Sequence, residues 1–88
     1  MRCMNQFIHQ PGKIFLEREG KVIAEITYSE TEPGVCTIDH TFVDDSLRGQ
    51  GIASQLVQLA VDDIRTSGRA VNATCSYAAA WLTRHPLQ

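Results

Sequence analysis

The sequence predicts an α+β domain: a three-stranded antiparallel meander, then a helix, a further strand and a C-terminal helix (β-β-β-α-β-α). Three observations carry this expectation. Apolar residues alternate with a period of two through the first half, and from Gly51 they recur with a helical period. Between the two lies the turn Arg48-Gly49-Gln50-Gly51, where the character of the chain changes.

Lys13 to Arg18 (KIFLER) is short and β-prone, and Glu19-Gly20 follows as a turn signal. Lys21 to Ser29 places Val22, Ala24, Ile26 and Tyr28 on one face and Glu25 and Thr27 on the other, the signature of a strand. Residues 30 to 34 (ETEPG) read as turn chemistry around Pro33-Gly34. Val35 to Val43 (VCTIDHTFV) resumes the β pattern, with Ile38, His40 and Phe42 expected on a common face. Ile52, Leu56, Leu59, Ala60 and Ile64 then form a helical arc, with Gln55, Gln58, Asp62 and Arg65 outward. Gly68 is placed to end this helix in a left-handed conformation. Arg69 to Cys75 reads as a fourth strand, and Tyr77 to Arg84 as a second helix ended by Pro86.

Composition narrows the function. The 88 residues suit one domain, 1–88, with 43% hydrophobic and 20% charged residues. Such a small core makes a ligand or homodimerisation a useful source of stability, for either a monomer or a homodimer. A net charge of −2 carries no broad basic footprint, so nucleic acid is not an expected partner. Cys3, Cys36 and Cys75 are odd in number and widely spaced, which argues against a disulfide framework or a zinc site and for a reducing, cytoplasmic setting. No long apolar run suggests a signal peptide or a membrane span.

The glycine turn is the chemical focus. A strand, a glycine-rich turn and a helix start bring unpaired backbone N–H groups and a partial positive charge to one place. Gly49 and Gly51 let a phosphate approach the backbone, Arg48 adds a charge-assisted contact, and Ala53 leaves room over the first helical turn. Neither a Walker A sequence nor a complete G-x-G-x-x-G is present. On this ground alone the turn is either an anion cradle or a tight strand-to-helix link. Asp44 and Asp45, just before it, either cap the turn or face solvent.

Arg48-Gly49-Gln50-Gly51-Ile52-Ala53 matches the [QR]-x-x-G-x-[GA] pattern of the GNAT acetyltransferase superfamily. With His40-Thr41-Phe42-Val43 before it, and Cys75-Ser76-Tyr77 and His85-Pro86 after it, the chain resembles a compact GNAT-like family over residues 13 to 86. The resemblance implies that acetyl-CoA is the co-substrate and that no metal is needed. It implies that the backbone of Thr41, Phe42 and Val43 pairs with the pantetheine arm, and that Arg48, Gly49, Gln50, Gly51, Ile52 and Ala53 hold the pyrophosphate. The next strand then splays away, with Cys75 beside the thioester. The resemblance leaves the acceptor side open, so the amine, of a protein, a peptide or a small molecule, is unidentified.

Three residues near this site each have two uses. Cys75 is either a nucleophile activated by the following helix N-terminus or a small buried residue at a strand end. His40 is either the base that takes a proton from the amine or a histidine held by a carbonyl or by Asp39. Tyr77 is either the acid that protonates the departing thiolate or a packing residue. The function expected is a small N-acetyltransferase; its alternative is a non-catalytic acyl-CoA-binding or interaction module that keeps only the donor site.

Overall fold

The computed structural model describes residues 7–47 and 49–84. Its elements run β1 (Phe7–Gln10), β2 (Lys13–Arg18), β3 (Lys21–Glu32), β4 (Val35–Val43), a 3-10 turn (Asp45–Leu47), α1 (Ile52–Thr66), β5 (Ala70–Ala73) and α2 (Ser76–Arg84). The strands form one sheet in the order β1-β2-β3-β4-β5. The first four are antiparallel neighbours and β5 is parallel to β4. The α+β class and the element order from Lys13 onward are those the sequence predicts. β1 is the addition: Pro11-Gly12 turns it back onto β2.

That turn demands glycine. Gly12 has φ +78°, and a Cβ there would lie 2.8 Å from the Tyr28 carbonyl oxygen. The Tyr28 N–H donates to the Gly12 carbonyl at 2.9 Å, so the first hairpin presses directly on β3. β3 continues to Glu32, which reduces the expected five-residue turn to Pro33-Gly34.

Two of the three register shifts in the ladders decide which way the side chains near the core and the site point. Leu16 pairs with Ala24 but Glu17 with Val22, so Ile23 is an extra residue. Ile23 and Ala24 are both buried as a result, and Val22 is only half-buried. In β4, Thr27 pairs with His40 but Tyr28 with Ile38, which makes Asp39 the extra residue. Ile38 is fully buried while His40 and Phe42 are exposed. The expected common face for the three residues is therefore incorrect: the bulge reverses the alternation after Ile38.

One face of the sheet, here the inner face, carries the core. Ile14, Ala24, Ile26 and Ile38 meet Leu56, Val57, Ala60 and Ile64 of α1. At about 1.5–3 kcal/mol per large apolar side chain, this burial is the main favourable term for so small a domain. His9 Nδ1 lies 3.0 Å from Asp63 Oδ2 and the Tyr28 hydroxyl donates to the same oxygen at 3.4 Å, tying β1 and β3 to α1. Burial, reinforced by the Asp63 charge and hydrogen bond, raises the Tyr28 pKa. α2 packs through Ala78 and Trp81, and the Trp81 indole N–H donates to Ser54 Oγ of α1 at 2.9 Å.

The end of α1 follows the sequence closely. Gly68 has φ +85°, its N–H donates to the Arg65 carbonyl at 2.9 Å, and the Arg69 N–H donates to the Ile64 carbonyl at 3.2 Å. This is the double hydrogen bond of a Schellman cap. It delivers the chain into β5.

Candidate functional site

The site begins where β4 and β5 part. Their parallel pairing covers Val35–Ile38 against Ala70–Ala73 and stops there. The N–H groups of Thr74 and Cys75 both converge on the Ile38 carbonyl, at 3.0 and 3.3 Å. That convergence ends the ladder on the β5 side at the same point where the Asp39 bulge bends β4. β5 is shorter than the expected 69–75 for this reason. Beyond it, among the described residues, β4 from Asp39 to Val43 is paired on one side only, to β3. An edge of this kind accepts another extended chain.

At the far end of that edge lies the glycine turn. Gly49 and Gly51 have φ +81° and +74°, and, adjacent residues aside, nothing lies within 4 Å of a Cβ built on either. The requirement for glycine here is conformational, and the space above the turn is open. Gly51 is the N-cap of α1 and supplies no side-chain cap; no acidic residue occupies the first turn. The first N–H groups of a helix have no partner within the helix, so donors of the first turn face this space. Val43, Leu47, Gly49, Gly51, Ile52, Ala53, Ser54 and Tyr77 line a cleft of about 250 Å³ here. Such a donor set in an open cradle fits a phosphorylated ligand.

Asp44 does not enter the cleft's chemistry as a competing anion. Its Oδ2 accepts the Ser46 N–H at 3.0 Å and the Ser46 hydroxyl at 2.7 Å, which lowers its pKa. It caps the 3-10 turn, one of the two roles expected of it.

The sequence model of the family "GCN5-related N-acetyl-transferase" matches residues 13–88. The chain belongs to this family. Among solved structures, a GCN5-like putative N-acetyltransferase from Staphylococcus aureus is 31% identical with a TM-score of 0.74, covering 90% of this chain and 78% of that one. An IAA acetyltransferase from Bacillus cereus is 22% identical with a TM-score of 0.66, covering 82% of this chain and 51% of that one. A ribosomal-protein-alanine N-acetyltransferase from Brucella melitensis biovar Abortus is 17% identical with a TM-score of 0.60, covering 86% of this chain and 63% of that one. This chain thus spans about half to two thirds of the latter two proteins, whose likeness is one of fold. Nothing among curated protein sequences matches it.

The geometry of this GCN5-related chain sorts the expected site residues into three groups. Val43, Gly49, Gly51, Ile52, Ala53 and Tyr77 meet at the cleft; Gln50 is exposed beside it, its amide donating to the Ser46 carbonyl at 3.4 Å. Cys75 and Thr41 meet at the splay, with Cys75 Sγ and Thr41 Oγ1 3.5 Å apart. His40 and the Phe42 side chain lie on the opposite, outer face because of the bulge. Arg48 and His85-Pro86 lie outside the described residues.

Cys75 is half-buried at the start of α2. Burial pushes its thiol pKa up. Hydrogen bonds from the Thr41 hydroxyl, then from the backbone N–H groups of Ala78, Tyr77 and Thr41, outweigh burial and bring it below that of an ordinary cysteine. Cys36, by contrast, is buried in the core. Thr27 Oγ1 donates to Asp39 Oδ1 at 2.6 Å, fixing the bulge that turns His40 outward. His40 and Cys75 are therefore on opposite sides of the backbone at Thr41 and are not brought into contact.

Sequence reasoning missed Leu47 and Ser54 in the cleft. The signal for Ser54 is Trp81: a buried indole N–H needs an acceptor, and the bond sets α2, which carries Tyr77, against the first turn of α1. Among the described residues no group of three or more His, Cys, Asp and Glu is arranged to hold a metal ion. No helix among them is long and apolar enough to cross a membrane.

Proposed function

We propose that this chain binds acetyl-CoA along the one-sided edge of β4 and transfers the acetyl group to an amine. The observation that carries the reading is the parting of β4 and β5 at Ile38, with an open helix N-terminus at the far end of the exposed edge. Bound acetyl-CoA supplies an acetyl group activated as a thioester. The backbone of Thr41, Phe42 and Val43 orients the pantetheine arm, as a neighbouring strand would. Gly49, Gln50, Gly51, Ile52 and Ala53, with Arg48, hold the pyrophosphate at the start of α1.

The remaining side chains divide the proton transfers. His40, on the outer face beside Thr41, accepts the proton of an amine arriving from that side. Tyr77, lining the cleft, donates a proton to the departing thiolate sulfur. Cys75, with its pKa lowered at the start of α2, is the group on the inner side, where its thiolate can receive the acetyl group before the amine does. Cytoplasmic placement accords with a working free thiol.

A thermal-shift panel with acetyl-CoA, CoA, ATP and NAD tests the reading. At a hundredfold excess over Kd, a ligand adds about 2.7 kcal/mol. For a domain of this size that is a rise of about ten degrees or more with acetyl-CoA and CoA. Arg48→Ala should lose much of it. No shift with either CoA species defeats the proposal. A shift without CoA release across a broad amine panel leaves the acyl-CoA-binding module instead.

A further inference from the structure

The outer face of the sheet has no helix on it among the described residues. α1 and α2 reach the inner side chains, through Tyr28, Thr41 and the apolar core. On the outer face Ile8, Phe15, Glu25 and Phe42 form one row across four strands, and Lys13, Thr27 and His40 form the next. Both large hydrophobic residues found exposed, Ile8 at 37% and Phe42 at 40%, stand in the first row. Phe15 lies between them, with the Lys13 ammonium 5.1 Å from its ring centroid.

The charges on this face are unequal. Lys13 is held by Glu25 at 3.0 Å. Among the described residues of this face, Glu17, two residues along β2 from Phe15, and Asp39 remain as carboxylates in excess. Asp39 is anchored by Thr27 next to His40, so one charge sits at the edge of the proposed transfer site. A strand row with separated exposed apolar side chains and a carboxylate excess suits an extended polypeptide better than a small amine, which needs a concave pocket. A second copy of the chain laid face to face would set these carboxylates against one another, in a protein of net charge −2.

We infer that the outer face of β1–β4 docks a lysine-bearing, extended segment of a partner polypeptide, its apolar side chains on Ile8 and Phe42 and its cations on Glu17 and Asp39. The identification of that segment as the acetyl acceptor rests on the proposed function; the docking itself does not. His40 and Thr41 lie at the β4 edge of this face, so a lysine held beside Asp39 is presented at the splay.

The test is fluorescence anisotropy with a labelled peptide that intersperses lysines with leucine and serine, against its glutamate-for-lysine counterpart and with spermidine as competitor. The lysine peptide should bind and its counterpart should not. Phe42→Ser and Ile8→Ser should each weaken binding about tenfold, the effect of about 1.4 kcal/mol. Asp39→Asn keeps the oxygen that accepts from Thr27 and should weaken binding through charge alone. Raising ionic strength from about 0.1 M to about 1 M, which shortens the Debye length from about 10 Å to about 3 Å, should do the same. Each variant is checked for an unchanged far-UV circular dichroism spectrum and cooperative thermal unfolding without ligand, which shows that it is folded. Equal binding of the two peptides, displacement by spermidine at equal concentration, or indifference to Phe42→Ser overturns the inference. So does a dimer in sedimentation that Phe42→Ser dissolves, since a second copy then owns the face. Peptide binding without an acetyl-CoA shift removes the proposed function and leaves this inference standing; a shift without peptide binding does the reverse.

Discussion

The two halves of β4 behave as different objects. From Val35 to Ile38 the strand is paired on both sides, and Cys36, Thr37 and Ile38 are all buried. From Asp39 to Val43 it is paired only to β3, its burial falls away, and Phe42 is 40% exposed. One extra residue at Asp39 and one shared carbonyl at Ile38 separate them. The first half is scaffold and the second half is the proposed site. The difference shows how a domain of 88 residues can leave a strand edge open without losing the strand: the open part is continuous with a part held on every side.

The largest effect should come from breaking the scaffold half. Ile38→Ala removes a fully buried side chain beneath α1, and such truncations cost about 2–5 kcal/mol. In urea denaturation the midpoint should fall sharply, while Phe42→Ala in the other half should change stability by no more than about 0.5 kcal/mol. Comparable losses for the two would show that the halves are not distinct.

A smaller effect is expected at the first hairpin. Gly12→Ala meets both a left-handed φ of +78° and a backbone oxygen 2.8 Å away, so a loss of about 1–3 kcal/mol is expected. Gly51→Ala has a similar φ of +74° with open space around it, and only the conformational cost of about 1–2 kcal/mol applies. Thermal denaturation of the two variants compares them directly. Gly51→Ala should also lower the acetyl-CoA shift, which Gly12→Ala should leave in place.

These contrasts also mark what the sequence discloses. Alternation revealed β2, β3 and β4, the helical period revealed α1, and Gly68 gave its end. β1 escaped because Phe7-Ile8-His9-Gln10 has no clear alternation: Ile8 faces outward and His9 inward, where Asp63 holds it. Pro11-Gly12 was the available signal. The bulges at Ile23 and Asp39 escaped for a different reason. A bulge has no fixed composition, yet one extra residue reverses every later side chain. That is why His40 could be named as a candidate from the sequence but not placed on the other face from Cys75. The glycine turn was legible as a strand-to-helix link because Gly49 and Gly51 take a left-handed φ that glycine adopts readily.

The finest test of the two-part strand lies at Thr41, in the half that is open. Its hydroxyl and the N–H groups at the start of α2 outweigh the burial that would otherwise raise the Cys75 pKa. The rate of Cys75 alkylation by iodoacetamide should therefore rise with pH earlier than that of an unstructured cysteine peptide. Thr41→Val keeps the shape and removes the hydroxyl donor, so the profile should move to higher pH while Cys36, in the core, stays unreactive. The folded-state pKa of Cys75 is depressed, so its stabilising contribution is present above the unfolded pKa. It is lost as pH falls through the folded one. Thr41→Val should accordingly narrow the stability difference between neutral and alkaline solution. An alkylation profile unchanged by Thr41→Val would place control of the thiol in the helix terminus alone, and Thr41 would then serve the site through its backbone only.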